Sequence, residues 1–591
     1  MNQDLGSNLV DMFLRTAERK GDAPFLWAKI DGEYRPWSYA RVLEEAKAIA
    51  RFFQQMGLEK GDRVLLVAEN RPEWCITDLG IMFAGGVTVP AYTTNTSDDH
   101  QYILSHSDSK FVVCSGKSLA KRLIPAIASV DHVKSLLFFD PLSDVGTLPV
   151  TAVSWADAIE MGQRADTPLP VAIEPDDLAC FIYTSGTGGQ PKGVMLSHKN
   201  VMANLRGAYV LLEEIGLGDE VFLSFLPLSH SYEHTGGQFF PIALGAEIYY
   251  AEGTETLSTN LVEARPTILT CVPRLYEVLR ARIVRGVERQ GGMKQKLFEL
   301  AVSLGRKKYE QGGLSFPLNV VDRLLDKLVR VKVAERFGGR IKAMVSGGAP
   351  LNVDVGMFFL GLGLPVLQGY GQTEASPVIS ANVPGRTKID TVGPPLDGVD
   401  VKIADDGEIL VRGDLVMQGY WKDPEATAKT LVDGWLHTGD VGVMDADRYI
   451  KITDRKKDLI VNSGGDNVSP QRVEGFLLLQ PEITQAVVYG DRKPYLVALI
   501  VVDPETLKKF GLEGASGEAL SGHAELRNAV GEAVKKTNTN LSAIERVRKF
   551  HIMPEPFTVD NHMMTPTLKL RRGVINENYG ELVESLYRAG S

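Results

Sequence analysis

The stretch YTSGTGGQPKG, residues 183–193, decides which fold the sequence predicts. It continues an apolar run, LACFIY, that has the composition of a buried strand, and a helix is expected to begin near Ser197, a good N-cap residue. A glycine-rich loop after a buried strand can direct successive backbone N–H groups at an anion, and the hydroxyls and Lys192 add donors. Taken alone, the stretch is typical either of a polyphosphate-binding loop or of a plain surface turn.

The spacing around Lys192 differs from that of a P-loop. A Walker A loop has a glycine before its lysine and a serine or threonine after it, whereas Pro191 and Gly193 occupy these positions here. The hydroxyl that usually anchors magnesium is therefore missing at this position. A P-loop NTPase fits the sequence poorly.

Composition excludes several classes of protein. The 591 residues carry a formal net charge of −10, which disfavours a protein that coats nucleic acid. The four cysteines form no CxxC pair and are expected to be buried thiols. The N-terminal residues lack the pattern of a signal peptide, and the most apolar stretch, residues 76–92, is interrupted by Asp78 and falls short of a bilayer span. A cytoplasmic enzyme that binds no nucleic acid is expected.

Short β-rich runs alternate with helical patterns from about residue 37 to residue 250. The apolar spacing of residues 39–57 predicts a helix. Four runs predict strands, namely residues 63–70, 110–116, 135–140 and 178–186. This alternation predicts α/β layers built on parallel strands.

Residues 274–342 differ in charge from the rest of the chain. They have a helical pattern and contain 17 Lys and Arg against 7 Asp and Glu, a net charge of +10. A solvated helical hairpin would have this composition, and so would a basic face that rests on anionic lipid or grips an anionic group of a substrate. The sequence leaves both interpretations open.

Beyond residue 395 the sequence becomes rich in short β patterns and tight turns, as in residues 401–413 and 433–452. The polar run DRKKD, residues 454–458, predicts a domain boundary. A smaller α+β unit of roughly 130 residues is expected after it.

The loop and six further segments, in order along the chain, resemble motifs of the adenylate-forming superfamily, which includes acyl-CoA synthetases. The segments are YTSGTGGQPKGVMLSH (183–198), PLSHSYEH (227–234), SGGAPL (346–351), GYGQTE (369–374), WLHTGD (435–440), DRKKDLIVNSGG (454–465) and TPTLKLRR (565–572). The resemblance implies an acyl-CoA synthetase-like α/β fold. A large N-terminal α/β domain with β-rich subdomains (1–453) would be joined by a hinge (454–457) to a small mobile α+β domain (458–591).

The superfamily joins a carboxylate to the α-phosphate of ATP, releasing pyrophosphate, and a thiol then displaces AMP. An anion must approach a polyanion, so the site has to supply cations and oriented dipoles. By resemblance, the residues that contact ATP or AMP are Thr184, Ser185, Gly186, Thr187, Gly188, Gly189, Lys192, Gly348, Ala349, Pro350, Gly369, Tyr370, Gly371, Gln372, Thr373, Asp440 and Arg455.

Several of these residues have individual roles that the resemblance implies. Tyr370 is expected to stack on adenine opposite residues 348–350, and Asp440 to accept both ribose hydroxyls, as one carboxylate can. Arg455 would meet the ribose or the α-phosphate. The family commonly has a second threonine where this chain has Gly188, so the hydroxyl that would contact phosphate at this position is missing. Lys192 either contacts phosphate or closes the loop.

Three residues are implied to be catalytic: Lys569, Glu374 and Thr184. Lys569 would bridge the substrate carboxylate and the α-phosphate. Glu374 and Thr184 would supply oxygen ligands to the Mg²⁺ that accompanies ATP. Without the motifs, Glu374 would be explained as a capping carboxylate, Asp440 as a turn residue and Lys569 as a surface lysine.

An amine placed for adenylation would obstruct a thiol that approaches the same carbonyl. Superfamily members rotate the small domain between the two steps, and Lys457 matches their hinge position. The rotation would bring Gly464 and Gly465 to the tunnel that admits the co-substrate coenzyme A. His230 and Tyr232 would line the acyl pocket, although a lone histidine is more often a core residue.

The basic connection, residues 274–342, and the terminal EPFTVDNHMMTPTLKLRR, residues 555–572, resemble long-chain fatty acyl-CoA synthetases. This predicts an ATP-dependent acid–thiol ligase that acts on a fatty acid and coenzyme A. Peripheral contact with the inner membrane face through the basic segment is expected, and a homodimer is left open. Two alternatives remain: an acyl-AMP ligase that loads a carrier-protein thiol or other acceptor, and a nucleotide-binding scaffold without chemistry.

Overall fold

The computed structural model describes residues 5–142, 150–184, 190–253, 255–464, 466–515, 517–559, 561–565 and 570–588. The strands are β1 Pro24–Ile30, β2 Glu33–Ser38, β3 Arg63–Val67, β4 Val87–Pro90, β5 Ser109–Cys114, β6 Ser135–Phe138, β7 Thr151–Ser154, β8 Leu178–Thr184, β9 Lys192–Ser197, β10 Val221–Ser224, β11 Glu247–Tyr250, β12 Ile268–Cys271, β13 Ala343–Ser346, β14 Val366–Gly371, β15 Val378–Ala381, β16 Asp400–Ile403, β17 Glu408–Arg412, β18 Gly419–Tyr420, β19 Leu431–Val432, β20 Trp435–Met444, β21 Ile450–Arg455, β22 Ile460–Val461, β23 Asn467–Val468, β24 Ile483–Tyr489, β25 Leu496–Val502 and β26 Val547–Ile552.

The helices connect and cover these strands. They are α1 Leu9–Lys20, α2 Tyr39–Gln55, α3 Pro72–Phe83, α4 Ser97–Ser107, α5 Lys117–Ala128, α6 Trp155–Arg164, α7 His198–Leu212, α8 Ser231–Glu233, α9 Phe240–Leu244, α10 Leu257–Ala264, α11 Pro273–Gln290, α12 Gly292–Gln311, α13 Leu318–Leu325, α14 Val331–Arg336, α15 Val353–Gly361, α16 Pro424–Thr430, α17 Pro470–Leu477, α18 Pro504–Lys509, α19 Glu518–Ser521, α20 Ala524–Asn538 and α21 Arg572–Arg588. Residues 234–239 and 326–330 form π-helical turns, and residues 213–215 and 373–375 form 3₁₀ turns.

The first sheet has eight strands in the order β18-β9-β8-β4-β3-β5-β6-β7. Strands β4, β3, β5, β6 and β7 are parallel neighbours, and β8 is parallel to β4. The four strands and the helix predicted in this region, β3, β5, β6, β8 and α2, are all present. Successive β3 residues are buried against different clusters on the two faces, which explains the unbroken apolar runs.

The glycine-rich stretch lies between two strands of a hairpin, which differs from the predicted passage from strand through loop to helix. Residues 192–197 form β9, antiparallel to β8, with Thr184 opposite Lys192. Helix α7 begins after the hairpin at the predicted N-cap, where the Ser197 side chain accepts a hydrogen bond from the Asn200 N–H and Asn200 reciprocates. The hairpin therefore holds both ends of the loop in register.

The second sheet also has eight strands, in the order β15-β14-β13-β12-β10-β11-β1-β2. Strands β11, β10, β12, β13 and β14 pair in parallel, so their carboxyl ends lie along one edge. Ligands in open α/β sheets bind outside the carboxyl ends of the strands. The residues that follow β13 and β14 are therefore placed where a ligand is expected.

Residues 395–455 form the predicted β-rich region, a five-stranded antiparallel sheet of β16, β17, β20, β19 and β21. After residue 455 come a two-stranded ladder, β22 with β23, and a sheet in the order β24-β25-β26. Helices α17 and α20 bury their apolar faces on this last sheet, and its other face packs against residues of α21. The chain thus has a large N-terminal α/β domain and a smaller α+β domain, as predicted.

The basic residues 274–342 form more than a solvated hairpin. Helices α11, α12, α13 and α14 cover one face of the second sheet, and their buried residues pack with those of β12, β13, β14 and α15. Apolar residues that recur at helical spacing explain why these highly charged helices are stable in this layer. In the described part of the chain, no helix combines the length and the apolar character that a bilayer crossing requires.

Candidate active site

The site is built on the ends of β8, β13 and β14. Residues 348–350 follow β13 and are exposed, and Gly348 has φ +81°, a conformation that favours glycine. Strand β14 ends at Gly371, where a Cβ would lie 1.9 Å from the Pro377 carbonyl oxygen. Glycine at 371 therefore allows the chain to turn tightly into the Thr373–Ala375 turn, which carries Glu374.

A buried carboxylate joins β14, β20 and β21. The Tyr370 hydroxyl donates to Asp440 Oδ2 at 2.6 Å, and Arg455 Nε donates to Asp440 Oδ1 at 2.9 Å. Asp440 is 3% exposed. The register of β20 with β21 sets Asp440 opposite Arg455, so this pair is fixed by the sheet itself. Asp440 is thus in direct contact with two other residues predicted to contact the nucleotide, Tyr370 and Arg455.

Burial and the neighbouring carboxylates shift the pKa values of Tyr370 and Arg455 in this cluster. Burial, and then the adjacent Asp440 charge, raise the pKa of Tyr370 well above its usual value, so the hydroxyl stays a donor. Burial alone would lower the pKa of Arg455, but the carboxylates of Asp440 and Asp458 raise it. The cluster therefore presents a fixed cation and a fixed anion, as recognition of a ribose phosphate requires.

A second cluster surrounds Glu374. The Tyr420 hydroxyl donates to Glu374 Oε1 at 2.8 Å, and Lys192 Nζ lies 4.8 Å from the centroid of the Tyr420 ring. Lys192 Nζ is also 3.7 Å from Asp423 Oδ2. Lys192 therefore lies at the foot of the loop with partners of its own, an arrangement compatible with either of its two predicted roles. Sequence reasoning missed Tyr420, because a tyrosine outside the motifs carries no signal.

Thr184 and Thr373 complete this part of the site. Thr184, half-buried, ends β8 directly before the loop. The Thr373 hydroxyl lies 3.1 Å from the Ser231 hydroxyl, which links the Glu374 turn to α8. Carboxylate and hydroxyl oxygens are ligands that Mg²⁺ accepts, with phosphates and waters as the remainder, so the residue types of Glu374 and Thr184 fit that ion.

The two residues predicted for the acyl pocket lie at the start of α8. His230 Nδ1 accepts the Tyr232 N–H at 3.2 Å, and the Tyr232 hydroxyl donates to the Val345 carbonyl at 2.8 Å. A Cβ on Gly347 would lie 3.1 Å from the Tyr232 ring, so this ring packs directly against the turn after β13. Tyr232 thereby links the start of α8 to the turn after β13.

Two buried carboxylates that the sequence did not single out lie in or against residues 231–239. Glu233 is fully buried and accepts hydrogen bonds from Ser224 and Thr270, both at 2.7 Å. Asp78, also fully buried, pairs with His234 at 2.8 Å and accepts from Gln238 at 2.7 Å. Asp78 was recognised only as a break in an apolar run, and Glu233 only as a letter of the PLSHSYEH motif.

Replacing Glu233 by glutamine is expected to stabilise the protein above neutral pH by up to about 3 kcal/mol, with little effect near pH 5. Burial raises the pKa of Glu233 from 4.5 to about 7, so the folded state holds this proton more tightly than the unfolded state. Stability is therefore greatest below the unfolded pKa and falls as the pH rises through the interval up to about 7. Urea denaturation at pH 5 and pH 8 measures the difference.

The matched control for this prediction is Glu425→Gln, which removes an exposed carboxylate paired with Lys429 and should change the free energy of unfolding little at either pH. The prediction fails if the wild type and Glu233→Gln show the same dependence of unfolding free energy on pH.

Around the predicted hinge, Lys457 is exposed, whereas its neighbour Lys456 pairs with Asp406 at 2.6 Å and with Glu408 at 2.7 Å.

Arg572, at the start of α21, pairs with the buried Glu474. Burial alone would lower the pKa of Arg572, but Glu474 and then Asp458 raise it. Asp458 therefore contributes to the raised pKa of both Arg455 and Arg572.

Several predicted residues lie outside the described part of the chain: Ser185, Gly186, Thr187, Gly188, Gly189, Gly465 and Lys569. Of their surroundings, the structure gives the β8–β9 hairpin around the loop and a bridge between Met564 and Leu570 on either side of residues 566–569. Gly464 is exposed, and its N–H donates to Asn462 at 2.9 Å.

Comparisons with known proteins agree with this geometry. Residues 13–421 match the model of the AMP-binding enzyme family, and residues 457–591 match that of the AMP-binding enzyme C-terminal domain. The long-chain-fatty-acid–CoA ligase FadD15 of Mycobacterium tuberculosis is 33% identical, over 94% of this chain and 93% of the relative. Long chain acyl-CoA synthetase 7, peroxisomal, of Arabidopsis thaliana is 32% identical, over 98% of this chain and 86% of the relative.

Among solved structures, the adenylation domain of a carboxylate reductase from Mycobacterium chelonae superposes with a TM-score of 0.80 at 23% identity, over 99% of this chain and 92% of that one. At this identity the likeness concerns the fold. The family matches cover both domains, and the ligase relatives extend over nearly the whole chain. The chain therefore belongs to the AMP-binding family of adenylate-forming enzymes, as its motifs predict.

Proposed function

We propose that this protein is a long-chain fatty acid–CoA ligase that forms acyl-CoA, AMP and pyrophosphate from a fatty acid, ATP and coenzyme A. The observation that carries the proposal is the contact of Asp440 with both Tyr370, at the end of β14, and Arg455, at the end of β21. These three residues come from separate motifs, and together they form a site for a ribose and a phosphate. The ligase relatives, aligned over both domains, supply the identity of the acid and of the thiol.

In the first half-reaction, a carboxylate oxygen of the fatty acid forms a bond to the α-phosphorus of ATP, and the bond from this phosphorus to the bridging oxygen breaks. Pyrophosphate leaves with the electron pair. Charge repulsion opposes the approach, so cations and N–H donors have to face the phosphates. We assign this work to Arg455, Lys569 and the loop 185–189. Glu374 and Thr184 would hold a Mg²⁺ ion, which would supply further positive charge.

In the second half-reaction, the sulfur of coenzyme A forms a bond to the acyl carbonyl carbon, and the bond from this carbon to the phosphate oxygen of AMP breaks. The thiol proton passes to water, and AMP leaves with the electron pair. Lys569 in its adenylation position would obstruct the thiol. We propose that domain 458–591 rotates on hinge 454–457, around Lys457, moves Lys569 away and brings Gly464 and Gly465 to the acceptor tunnel. The polar run DRKKD at residues 454–458 and the match of residues 457–591 to a separate C-terminal domain family support this proposal.

The acyl chain is assigned to the interior beside His230 and Tyr232. Tyr232 is buried and contacts the turn at Gly347, so a chain bound there would begin next to the nucleotide cluster. The buried contact of Asp78 with His234 marks a polar boundary of this interior. We further propose a cytoplasmic location with peripheral contact at the inner membrane face through residues 274–342, whose net charge is +10.

The test is acid-dependent ATP–pyrophosphate exchange with a panel of acids from short to long chain, with thioester formation measured in parallel on coenzyme A. Exchange with long-chain acids, and thioester formation that depends on coenzyme A, are expected. Exchange without a thioester would favour an acyl-AMP ligase that uses a carrier protein. Failure of exchange with every acid would contradict the proposal and favour a nucleotide-binding scaffold.

A further inference from the structure

Exposed apolar side chains occur along α13 and in the turns that precede and follow it. Phe316, Val320, Leu324 and Leu328 are 85%, 47%, 57% and 49% exposed. Val320 and Leu324 lie one turn apart on the same side of α13, Phe316 lies in the turn before this helix, and Leu328 lies in the π-helical turn after it. Single exposed apolar residues are common on soluble proteins, but a contiguous apolar row marks an interaction surface. We call these four residues the outer row.

The opposite side of the same segment is firmly anchored. Leu325 and Val329 are buried in the cluster that covers the second sheet. The guanidinium of Arg330 pairs with the buried Asp322 at 2.6 Å, and its Nε donates to the Gly361 carbonyl at 2.8 Å. The segment therefore does not need the outer row for its attachment to the domain. A helix that is apolar on its anchored side and again on its exposed side has a second apolar surface to cover.

Cations flank the outer row. Arg323 and Lys327 each precede one of its leucines and are exposed, and Lys332 is exposed one turn further on. Within the described residues these three side chains form no ion pair. An apolar row edged by unpaired cations is the pattern of a helix that lies in the plane of an anionic lipid surface. The same cations oppose a second copy of this chain, because two such faces would repel each other.

We propose that the outer row inserts into the interface of a bilayer that contains anionic phospholipids, while Arg323, Lys327 and Lys332 contact the headgroups. The helix would lie parallel to the surface with its anchored side on the protein. The membrane contact proposed for residues 274–342 is thereby assigned to individual residues. It rests on the proposed function only for the nature of the substrate that the membrane would provide. Long-chain acids partition into bilayers, so a docked enzyme would meet its substrate at high local concentration.

The test is co-sedimentation of the full-length protein with vesicles of phosphatidylcholine alone and of phosphatidylcholine with phosphatidylglycerol. The wild type is expected to bind the anionic vesicles at low salt. Serine at all four outer-row positions should weaken this binding by roughly tenfold or more. Arg323→Gln, Lys327→Gln and Lys332→Gln combined should cause a similar loss and remove most of the salt dependence. The matched control, Val210→Ser with Val443→Ser, changes two exposed valines elsewhere and should bind like the wild type.

A second measurement reports insertion in the intact domain. All four native cysteines are buried, so Leu324→Cys can be labelled selectively with an environment-sensitive dye. Its fluorescence should shift to shorter wavelength on anionic vesicles, whereas the same dye on Val210→Cys should not respond. This measurement stands even if the four-serine variant folds poorly.

The proposal is overturned if the wild type does not bind anionic vesicles at low salt, if the four-serine variant binds like the wild type, or if dye at 324 does not respond. It is also overturned if sedimentation velocity shows a dimer that the four-serine variant abolishes, because a second copy would then cover the row. Pyrophosphate exchange with a long-chain acid supplied in detergent, without vesicles, should be unchanged in the variants. Loss of exchange in the wild type with normal vesicle binding would reject the ligase and leave the membrane contact intact.

Discussion

Replacing Lys569 by alanine is expected to slow acyl-adenylate formation by roughly 100- to 1000-fold, while thioester formation from supplied acyl-adenylate stays largely intact. The ammonium is proposed to bridge the carboxylate and the α-phosphate, so it acts where charge develops in the first step. In the second step it has to be absent from the site. ATP–pyrophosphate exchange measures the first step, and conversion of synthetic acyl-AMP with coenzyme A measures the second.

The control for Lys569→Ala is Lys535→Ala, an exposed lysine of the same domain that pairs with Glu532 and should affect neither half-reaction. Equal loss of both half-reactions in Lys569→Ala would argue against rotation of the C-terminal domain, because it would require the lysine in both steps. Normal exchange in Lys569→Ala would remove the residue from the catalytic set.

Replacing Asp440 by asparagine is expected to lower both half-reactions, with a fall of roughly 10- to 100-fold in kcat/KM for ATP. The AMP moiety is present in both steps, so a residue that holds the ribose serves both. The substitution also removes the charge that faces Arg455 at 2.9 Å and replaces one of two acceptor oxygens with a donor. Steady-state kinetics with ATP, and with supplied acyl-AMP, measure the two effects.

Asp447→Asn is the control for Asp440→Asn, since Asp447 is exposed and pairs only with Lys388 among the described residues. Unchanged kinetics for ATP in Asp440→Asn would contradict the assignment of the ribose site. Loss of the first half-reaction alone would also contradict it, because acyl-AMP carries the same ribose. The patterns expected for Lys569 and Asp440 differ, so the two variants together separate the proposed roles.

Local sequence determined much of the secondary structure in the first sheet. The apolar runs at β3, β5, β6 and β8 are buried on both faces, and such strands appear in a sequence as unbroken apolar segments. Strand β9 was not predicted, because its six residues follow a glycine-rich loop and resemble the approach to a helix as much as a strand. Its assignment depends on hydrogen bonds to β8 and β18, which no local pattern encodes.

In the candidate site too, the sequence predicted individual residues, whereas the tertiary structure decided their contacts. Motifs predicted Tyr370, Asp440 and Arg455 as separate nucleotide contacts, but their hydrogen bonds to one another arise from strand register and domain packing. Tyr420 and Glu233 were missed as individual groups, because neither tyrosine nor glutamate signals a partner until folding brings one within reach. Glu233 is a clear case, since its raised pKa is a consequence of burial.

The sequence by itself determined the family, the order of the motifs, the α/β class and the excess of positive charge in residues 274–342. Only the tertiary structure decided which groups meet, which strands continue the sheets, and which side of α13 faces solvent. The sequence did not determine which side is exposed, because α13 and the turn after it carry apolar residues on both sides. Leu325 and Val329 are buried, whereas the equally apolar Leu324 and Leu328 are exposed. Hydrophobicity dictates that apolar surface is buried, but the shape of the neighbouring elements selects which surface is buried and which remains exposed.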